Sequence, residues 1–312
     1  MDKFLQQVVN GLSIGSIYAL MAVGYSLVYS VMNFSNFAHG GVIMFGAYFG
    51  FFFMTLGDNR VIQNIDFIPD SIKENLPNFP FIAAFIATIL LAGILAVIIE
   101  RVAYRPLRER QAPFLYFIIS AMGVSMFLEN IVVATIGPTP RTFPRVFSSE
   151  PLRLGPISIG WIDMTMFIVA AVCLTLLILF LDFTKVGKAV QAAAFNMKGS
   201  ALMGINTGFV IMLVFLLGGL LAGAAGILFG MRYTVYPQIG MITTKSFIAA
   251  VFGGLGSVPG AVVGSILLGI IETFTAGYIS SRYRDLVSFA ILILVLVIRP
   301  SGLMGKSRED KA

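Results

Sequence analysis

The sequence has one cysteine and one histidine, and this scarcity excludes several kinds of site. Cys173 has no second cysteine for a disulfide within the chain or for a cysteine metal cluster, and His39 has no second histidine for a multi-histidine site. Charged residues make up 12% of the 312 residues, about half the usual share in soluble domains. The chain therefore has too little charge to be a soluble protein.

Apolar residues dominate in place of charge. Hydrophobic residues make up 58% of the chain and the mean hydropathy is +0.92, which indicates a multi-pass membrane protein. The net charge of +6 is concentrated in a few loops, so it indicates membrane orientation rather than nucleic-acid binding. The first apolar run is too long for a cleavable signal peptide and lacks a basic start.

We expect an all-α membrane protein, one transmembrane domain over 1–312. It would have about eight transmembrane helices, broken or re-entrant segments and a cytoplasmic coupling helix. Most candidate spans have the roughly 20 apolar residues that a bilayer requires. They are 5–31, 37–57, 79–100, 113–136, 162–183, 207–231, 241–257, 258–279 and 285–299. Polar or glycine-rich residues interrupt 32–41, while 241–257 and 285–299 are short. Broken helices of this kind often mark transport pathways.

Lysine and arginine indicate the orientation of the spans. The loop 100–112 holds four arginines, 184–206 holds three lysines and the tail 299–312 holds four basic residues. Alternation of the spans places these segments on one side, which we predict to be cytoplasmic. The N-terminus is then outside, provided that 37–57 crosses the membrane. The outer loops 58–78, 137–161 and 279–284 also contain basic residues, so the difference in positive charge between the two sides is moderate.

The polar interruption at 184–206 is longer than a simple return of the chain requires. It contains Lys185, Lys188 and Lys198 and no acidic residue. We expect a short helix, a turn and a second short helix. Spacings of three and four place one set of residues on a single helical face; they are Thr184, Lys188, Gln191, Phe195 and Lys198. We interpret this segment as a docking element for a soluble motor.

Phe195 is the aromatic exception on that polar face. In one interpretation it folds back onto neighbouring membrane helices. In the other it fills a pocket on a cytoplasmic partner, because exposed aromatic residues are frequent interface anchors.

Three ionisable residues fall inside apolar spans: Glu129, Lys245 and Glu272. A buried charge in a membrane needs a partner or a water-filled cavity. Lys245 and Glu272 could form a structural ion pair, which we favour over a pathway role. Glu129 could reach interfacial water or line a pathway.

Asn36 and His39 flank the first interruption. His39 could contact substrate or titrate near neutral pH, although a hydrogen-bonded helix end is the more frequent role of a lone membrane histidine.

Gly305-Lys306-Ser307 resembles the end of a phosphate-binding loop. The motif's first glycine is missing, because Pro300 stands there. We therefore expect no enzyme activity and no cofactor in this chain; if ATP supplies the energy, another chain binds it.

Five segments together resemble the LIV-type permeases, the membrane subunits of bacterial ABC importers for branched-chain amino acids. They are NFAHG (36–40), ERVAYRPLR (100–108), GKAVQAAAFNMKGSALMGIN (187–206), FGGLGSVPGAVVGSILLGIIE (252–272) and LVLVIRPSGLMGK (294–306). The similarity covers nearly the whole chain in order, and the chain is most similar to the H-type rather than the longer M-type subunit.

The resemblance implies an inner-membrane importer with several subunits. Two different permeases form the pore, two ATPases dock on the cytoplasmic side, and a periplasmic protein delivers the amino acid. The family's coupling segment maps onto 187–206. This chain has Phe195-Asn196 where the family usually has an acidic pair, and Gly41 where it commonly has glutamate. The first departure concerns the ATPase contact, and the second leaves the substrate preference open.

Other functions stay open from the residues. An ion-coupled carrier would show an inverted repeat and several buried carboxylates or histidines, and neither is evident. A passive channel would conduct alone, and a membrane scaffold would not need the lysine-bearing segment. Within the ABC family, the cargo could also be another neutral amino acid or a urea- or amide-like solute.

Overall fold

The structure is a computed structural model that describes residues 2–56, 79–148, 150–155 and 157–305. The loop 58–78 and the tail residues Lys306, Arg308 and Lys311, which entered the orientation argument, lie outside these described residues. So do the last two residues of the Gly305-Lys306-Ser307 sequence.

Helices account for most of the described chain. In order they are α1 (Asp2–Met32), α2 (His39–Met54), α3 (Phe81–Ile99), α4 (Arg105–Glu109), α5 (Phe114–Thr135), α6 (Trp161–Phe183), α7 (Lys185–Phe195), α8 (Met197–Leu202), α9 (Thr207–Arg232), α10 (Thr243–Gly253), α11 (Val258–Phe274) and α12 (Arg284–Ile298). A short antiparallel hairpin, β1 (Leu152–Leu154) and β2 (Ile157–Ile159), pairs Leu152 with Ile159. The predicted all-α class is confirmed, and the hairpin is a small addition to it.

Six helices in the described ranges are long and apolar enough to cross a membrane. They are Lys3–Met32, Phe81–Glu109, Phe114–Thr135, Trp161–Phe183, Thr207–Arg232 and Val258–Ile279. The remaining predicted spans form shorter helices: α2 has 16 residues, α10 has 11 and α12 has 15. The three spans that the sequence marked as interrupted or short are therefore the three that fall below spanning length.

Two helices end in one turn of π-helix. Glu100–Tyr104 follows α3 and leads into α4, and Thr275–Ile279 follows α11. A buried glutamate lies at or just before each of these turns, Glu100 and Glu272, each 1% exposed. Such turns are often found at functional sites.

The chain divides into two compact units. Unit 1 comprises residues 1–35, 148–218 and 243–312, and unit 2 comprises 36–147 and 219–242. In unit 1, α1 is the central helix, since 94% of its most apolar window is buried. Its glycines pack against α11: a Cβ on Gly269 would lie 2.5 Å from the nitrogen of Gly15. Backbone contact of this kind explains why small residues recur on both helices.

Unit 2 is built from α2, α3, α5 and the second half of α9. A Cβ on Gly46 would lie 2.8 Å from the Cα of Gly223, and one on Gly219 would lie 2.9 Å from the Cα of Gly93. Gly46 and Gly50, like Gly219 and Gly223, are spaced as G-x-x-x-G, and these pairs lie at close helix contacts inside the chain. An isolated bridge joins Arg141 to Val235, where the nitrogen of Arg141 donates to the oxygen of Val235 at 2.8 Å.

Candidate functional site

The segment 184–206 folds as two short helices whose first turns are capped by side chains. The hydroxyl of Thr184 accepts a hydrogen bond from the nitrogen of Gly187 at 2.9 Å, at the start of α7. Asn196 accepts from the nitrogen of Gly199 at 2.9 Å, at the start of α8. Caps of this kind satisfy amide groups that a helix start leaves unpaired. The predicted order of helix, turn and helix is confirmed.

One face of α7 is buried against unit 1. Gly187, Val190 and Ala193 are buried, and a Cβ on Gly187 would lie 2.6 Å from the Cα of Leu181. Glycine at 187 lets the first turn of α7 touch the backbone at the end of α6. Helix α7 also contacts α1, so a force applied to α7 reaches two transmembrane helices directly.

The opposite face of α7 carries Lys188, Gln191 and Phe195, all exposed. The prediction that Lys198 continues this face is wrong, because α7 ends at Phe195 and Lys198 belongs to α8. The helix breaks at Asn196, whose backbone is extended and whose side chain caps the next helix. Lys185 and Lys198 are exposed as well, so every lysine of the segment faces outward.

Large apolar side chains are also exposed along this segment. Phe195 is 65% exposed, Leu202 89% and Met203 83%, and Phe183 just before it is 81% exposed. Most of the Phe195 surface is exposed, and the rest lines a cavity together with residues of α1 and α6. Exposed apolar residues and exposed lysines are interspersed along the segment. Exposed apolar side chains of this size mark contact sites for another protein or for the membrane.

A cavity of about 410 Å³ lies in unit 1 beside α7. Its lining includes Ser30, Asp182, Phe195, Pro259 and Met304. The Asp182 carboxylate accepts a hydrogen bond from the Gln191 amide at 2.7 Å and holds α7 to the end of α6. The cavity shows that the end of α1, the coupling segment and the first part of the tail meet at one end of unit 1. The sequence predicted that 184–206 and the tail lie on the same side of the membrane, and their meeting in unit 1 agrees with that prediction.

Lys245 and Glu272 do form an ion pair, with 2.9 Å between Nζ and Oε1. Two hydroxyl groups also donate to the Glu272 carboxylate: Tyr18 to Oε2 at 2.9 Å and Ser288 to Oε1 at 2.6 Å. Lys245 also contacts Asp285 at 2.9 Å. Glu272 thus joins α1, α10, α11 and α12, an arrangement that fits the structural role we favoured.

Tyr18, Asp285 and Ser288 were not identified from the sequence as members of this cluster. Asp285 and Ser288 lie three residues apart, which places them on one helical face, and this was the available local signal. Nothing in the sequence connects them to Glu272 or to Tyr18, which is 254 residues away from Glu272.

Asn36 and His39 are buried in unit 2, at 5% and 3% exposure. The Tyr104 hydroxyl donates to Oδ1 of Asn36 at 2.7 Å, and the backbone nitrogen of His39 donates to the Asn36 carbonyl at 3.2 Å. Asn36 therefore ties the interruption before α2 to the π-helical turn at Glu100–Tyr104. Arg108 donates to the buried Glu100 at 2.9 Å, so this carboxylate is also paired.

Glu129 is half-buried on α5, beside the exposed Asn130. The structure does not bring Glu129 together with Asn36 or His39 in any hydrogen bond or ion pair among the described residues. The five proposed pathway residues therefore divide between the two units, with Lys245 and Glu272 in unit 1 and the other three in unit 2.

Comparison with known proteins places these features in a family. The family described as "Branched-chain amino acid transport system / permease component" matches residues 7–296. The branched-chain amino acid permease BraD of Pseudomonas aeruginosa is 39% identical over 316 residues, which is 99% of this chain and 98% of the relative. The permease LivH of Escherichia coli K12 is 39% identical over 315 residues, 99% of this chain and 97% of the relative.

Both relatives are named as permease proteins of high-affinity branched-chain amino acid transport systems. A solved structure of PsaBC from Streptococcus pneumoniae with a Fab has a TM-score of 0.48 at 13% identity, and the match covers 96% of this chain and 92% of that one. The match over 7–296, together with 39% identity to two permeases over nearly the full length, shows that this multi-pass inner-membrane chain belongs to the family of branched-chain amino acid ABC transport permeases.

Proposed function

We propose that this chain is one of two different permeases in an ABC importer, and that the importer carries branched-chain amino acids. A periplasmic protein delivers the amino acid, and two cytoplasmic ATPases supply the energy and bind the ATP and magnesium. The two 39% identical permeases, named for branched-chain amino acid transport, support this cargo. The outward-facing lysines and apolar side chains of 184–206 are the observation on which the docking role rests.

The contacts of α7 give the coupling a direct route. An ATPase gripping Lys188 and Phe195 moves α7, and the close contact at Gly187 passes this movement to α6. Helices α1 and α6 both contact α7, so they move with it. This opens the transport path alternately to the two sides. Lys185, Gln191, Asn196 and Lys198 complete the proposed contact surface.

The cargo needs little charge recognition from this chain. A periplasmic protein that has already selected the amino acid leaves the permease to pass a zwitterion with an apolar side chain. A path lined by small and weakly polar residues then suffices, and selectivity lies mostly upstream. Competition for uptake among leucine, other neutral amino acids and urea-like amides distinguishes this cargo from the alternatives.

An ion-coupled carrier is disfavoured by the pairing of two of the buried carboxylates. Glu100 is held by Arg108, and Glu272 by Lys245 and two hydroxyl groups. Pairing of this kind fits a structural role for both carboxylates. Uptake by the reconstituted chain without any ATPase would restore that alternative.

The docking role is tested with Phe195→Asp. A carboxylate in place of an aromatic anchor costs on the order of 2 kcal/mol or more at an interface, so we expect ATPase stimulation by substrate and uptake to fall at least about tenfold. Tyr283→Asp is the matched control, because Tyr283 is also an exposed aromatic residue, with 50% of its surface exposed. It lies just before α12, whereas Met304, which lines the cavity together with Phe195, follows the other end of that helix. Both variants should insert normally. Wild-type uptake by Phe195→Asp would show that Phe195 does not dock the ATPase.

A further inference from the structure

Helix α5 is the least covered of the six candidate spans. Only 17% of its most apolar window is buried within the chain, against 28% to 94% for the other five. Its covered side includes Ala121, Leu128 and Val132, which are buried in unit 2. The rest of the helix faces away from the described chain.

The exposed faces of other helices have the composition expected for contact with lipid. On α3 and α12 the exposed large residues are aliphatic or aromatic, as in Ile86, Ile94, Phe289 and Val297. The exposed face of α5 differs. Spacings of three and four place one set of exposed residues on a single stripe: Tyr116, Ile119, Gly123, Met126, Phe127 and Asn130. We call this stripe the α5 face.

Gly123 has no packing role among the described residues. A Cβ built on it would meet nothing within 4 Å, whereas the helical glycines Gly46 and Gly223 lie against other backbones. Glycine in the middle of a helix costs about 1 kcal/mol relative to alanine. An explanation for this glycine therefore lies outside the described chain, where a neighbouring helix could approach closely.

Two polar side chains accompany the glycine. Asn130 donates from Nδ2 to the carbonyl of Met126 at 2.7 Å, and no donor to its own Oδ1 occurs in the described residues. Beside it, Glu129 has no ion pair within the same ranges. Asn130 lies about 8 Å before the end of α5 at the helical rise of 1.5 Å per residue. Its Cα–Cβ bond points toward the helix N-terminus and hence deeper into the membrane.

These groups are poorly suited to lipid. Polar and ionisable side chains at membrane depth face protein or water rather than acyl chains. The carbonyl of Asn130 and the carboxylate of Glu129 are both hydrogen-bond acceptors. A protein neighbour complementary to them would supply a hydrogen-bond donor.

We propose that the α5 face is the contact surface for the second permease subunit. A transmembrane helix of that subunit places a bulky apolar side chain against Gly123 and a lysine, arginine or amide donor level with Glu129 and Asn130. This inference rests on the proposed function, which supplies the second permease.

Photo-crosslinking in the assembled complex tests the contact. A photoreactive amino acid replaces Met126, which is 65% exposed, in the complex reconstituted into lipid nanodiscs. The matched controls carry it at Ile94 and Val297, which are 51% and 77% exposed on α3 and α12. We expect position 126 to crosslink to the second permease with at least about tenfold higher yield than either control. The controls should yield lipid adducts.

The outcomes separate this inference from the proposed function. If a second permease is present and position 126 gives only lipid adducts, or yields equal to the controls, the α5 face is not the contact surface. An adduct with a second copy of this chain also overturns the inference, because it replaces the proposed partner. A particle that contains no second permease overturns the proposed function itself, and this inference with it.

A pair of substitutions provides a second measurement. Gly123→Trp places an indole in the space that the partner's side chain would occupy. We therefore expect recovery of the second permease by affinity purification to fall at least about tenfold. Gly123→Ala should lower the recovery less, because a methyl group takes up less of the space against the partner than an indole does. Ile94→Trp is the control for a large side chain on a lipid-facing position. Equal recovery for Gly123→Trp and Ile94→Trp would contradict the inference.

Discussion

Replacing Lys245 by methionine removes the cation beside Glu272 and keeps a side chain of similar length. The Glu272 side chain is only 2% exposed, so its carboxylate would remain buried without a cation. Removing one partner of a buried pair costs roughly 3–5 kcal/mol. Tyr18 and Ser288 still donate to this carboxylate. We therefore expect the lower end, about 3 kcal/mol of the free energy of unfolding.

The companion substitution is expected to cost less. Glu272→Gln removes the buried negative charge, while Lys245 keeps its contact with Asp285 and is 20% exposed. We expect a loss of about 1 kcal/mol. If the two charges are coupled, the double variant should lose about 2 kcal/mol rather than the sum of about 4 kcal/mol. Asp285→Asn should lose less than about 1 kcal/mol, because the Asp285 side chain is 72% exposed.

Denaturant titration of the purified chain in mixed micelles measures these losses. Trp161 is the sole tryptophan and lies in unit 1, so its fluorescence reports on the unit that contains the cluster. Losses that add to within about 0.5 kcal/mol would refute the coupling. In the transport assay we expect Lys245→Ala to lower the yield of complex more than it changes the substrate KM. Normal yield with a raised KM would instead place Lys245 in the transport path.

Three further substitutions test contacts inside each unit. Tyr104→Phe removes the hydroxyl that donates to buried Asn36, so thermal unfolding of the complex should show a loss of about 1–3 kcal/mol in the free energy of unfolding. Unchanged stability would show that this hydrogen bond does not hold the two segments together. Gly269→Leu forces a side chain into the backbone of α1, so gel filtration should show little folded chain, while Gly208→Ala, with its nearest neighbour at 3.4 Å, should elute normally. Gly187→Ala pushes α7 from α6, and we expect fewer amino acids imported per ATP hydrolysed.

Several features were predictable because their physical causes are local. The apolar runs are the helices, and the three runs marked as short or interrupted are the ones below spanning length. The polar segment 184–206 was recognised from its lysines and its length. Its subdivision was only partly predicted, because the cap at Asn196 competes with helix continuation and places Lys198 on a separate helix. Periodicity alone continued one face through that break.

The sequence by itself determined the membrane class, the positions of the spans and the polar segment between α6 and α9. These depend on hydropathy and charge along the chain, and both are properties of neighbouring residues. Only the tertiary structure decided which groups meet at Glu272, that Asn36 pairs with Tyr104, and that Gly123 faces away from its own chain while other helical glycines pack inside it. Those facts depend on contacts between residues tens to hundreds of positions apart, which no local pattern specifies.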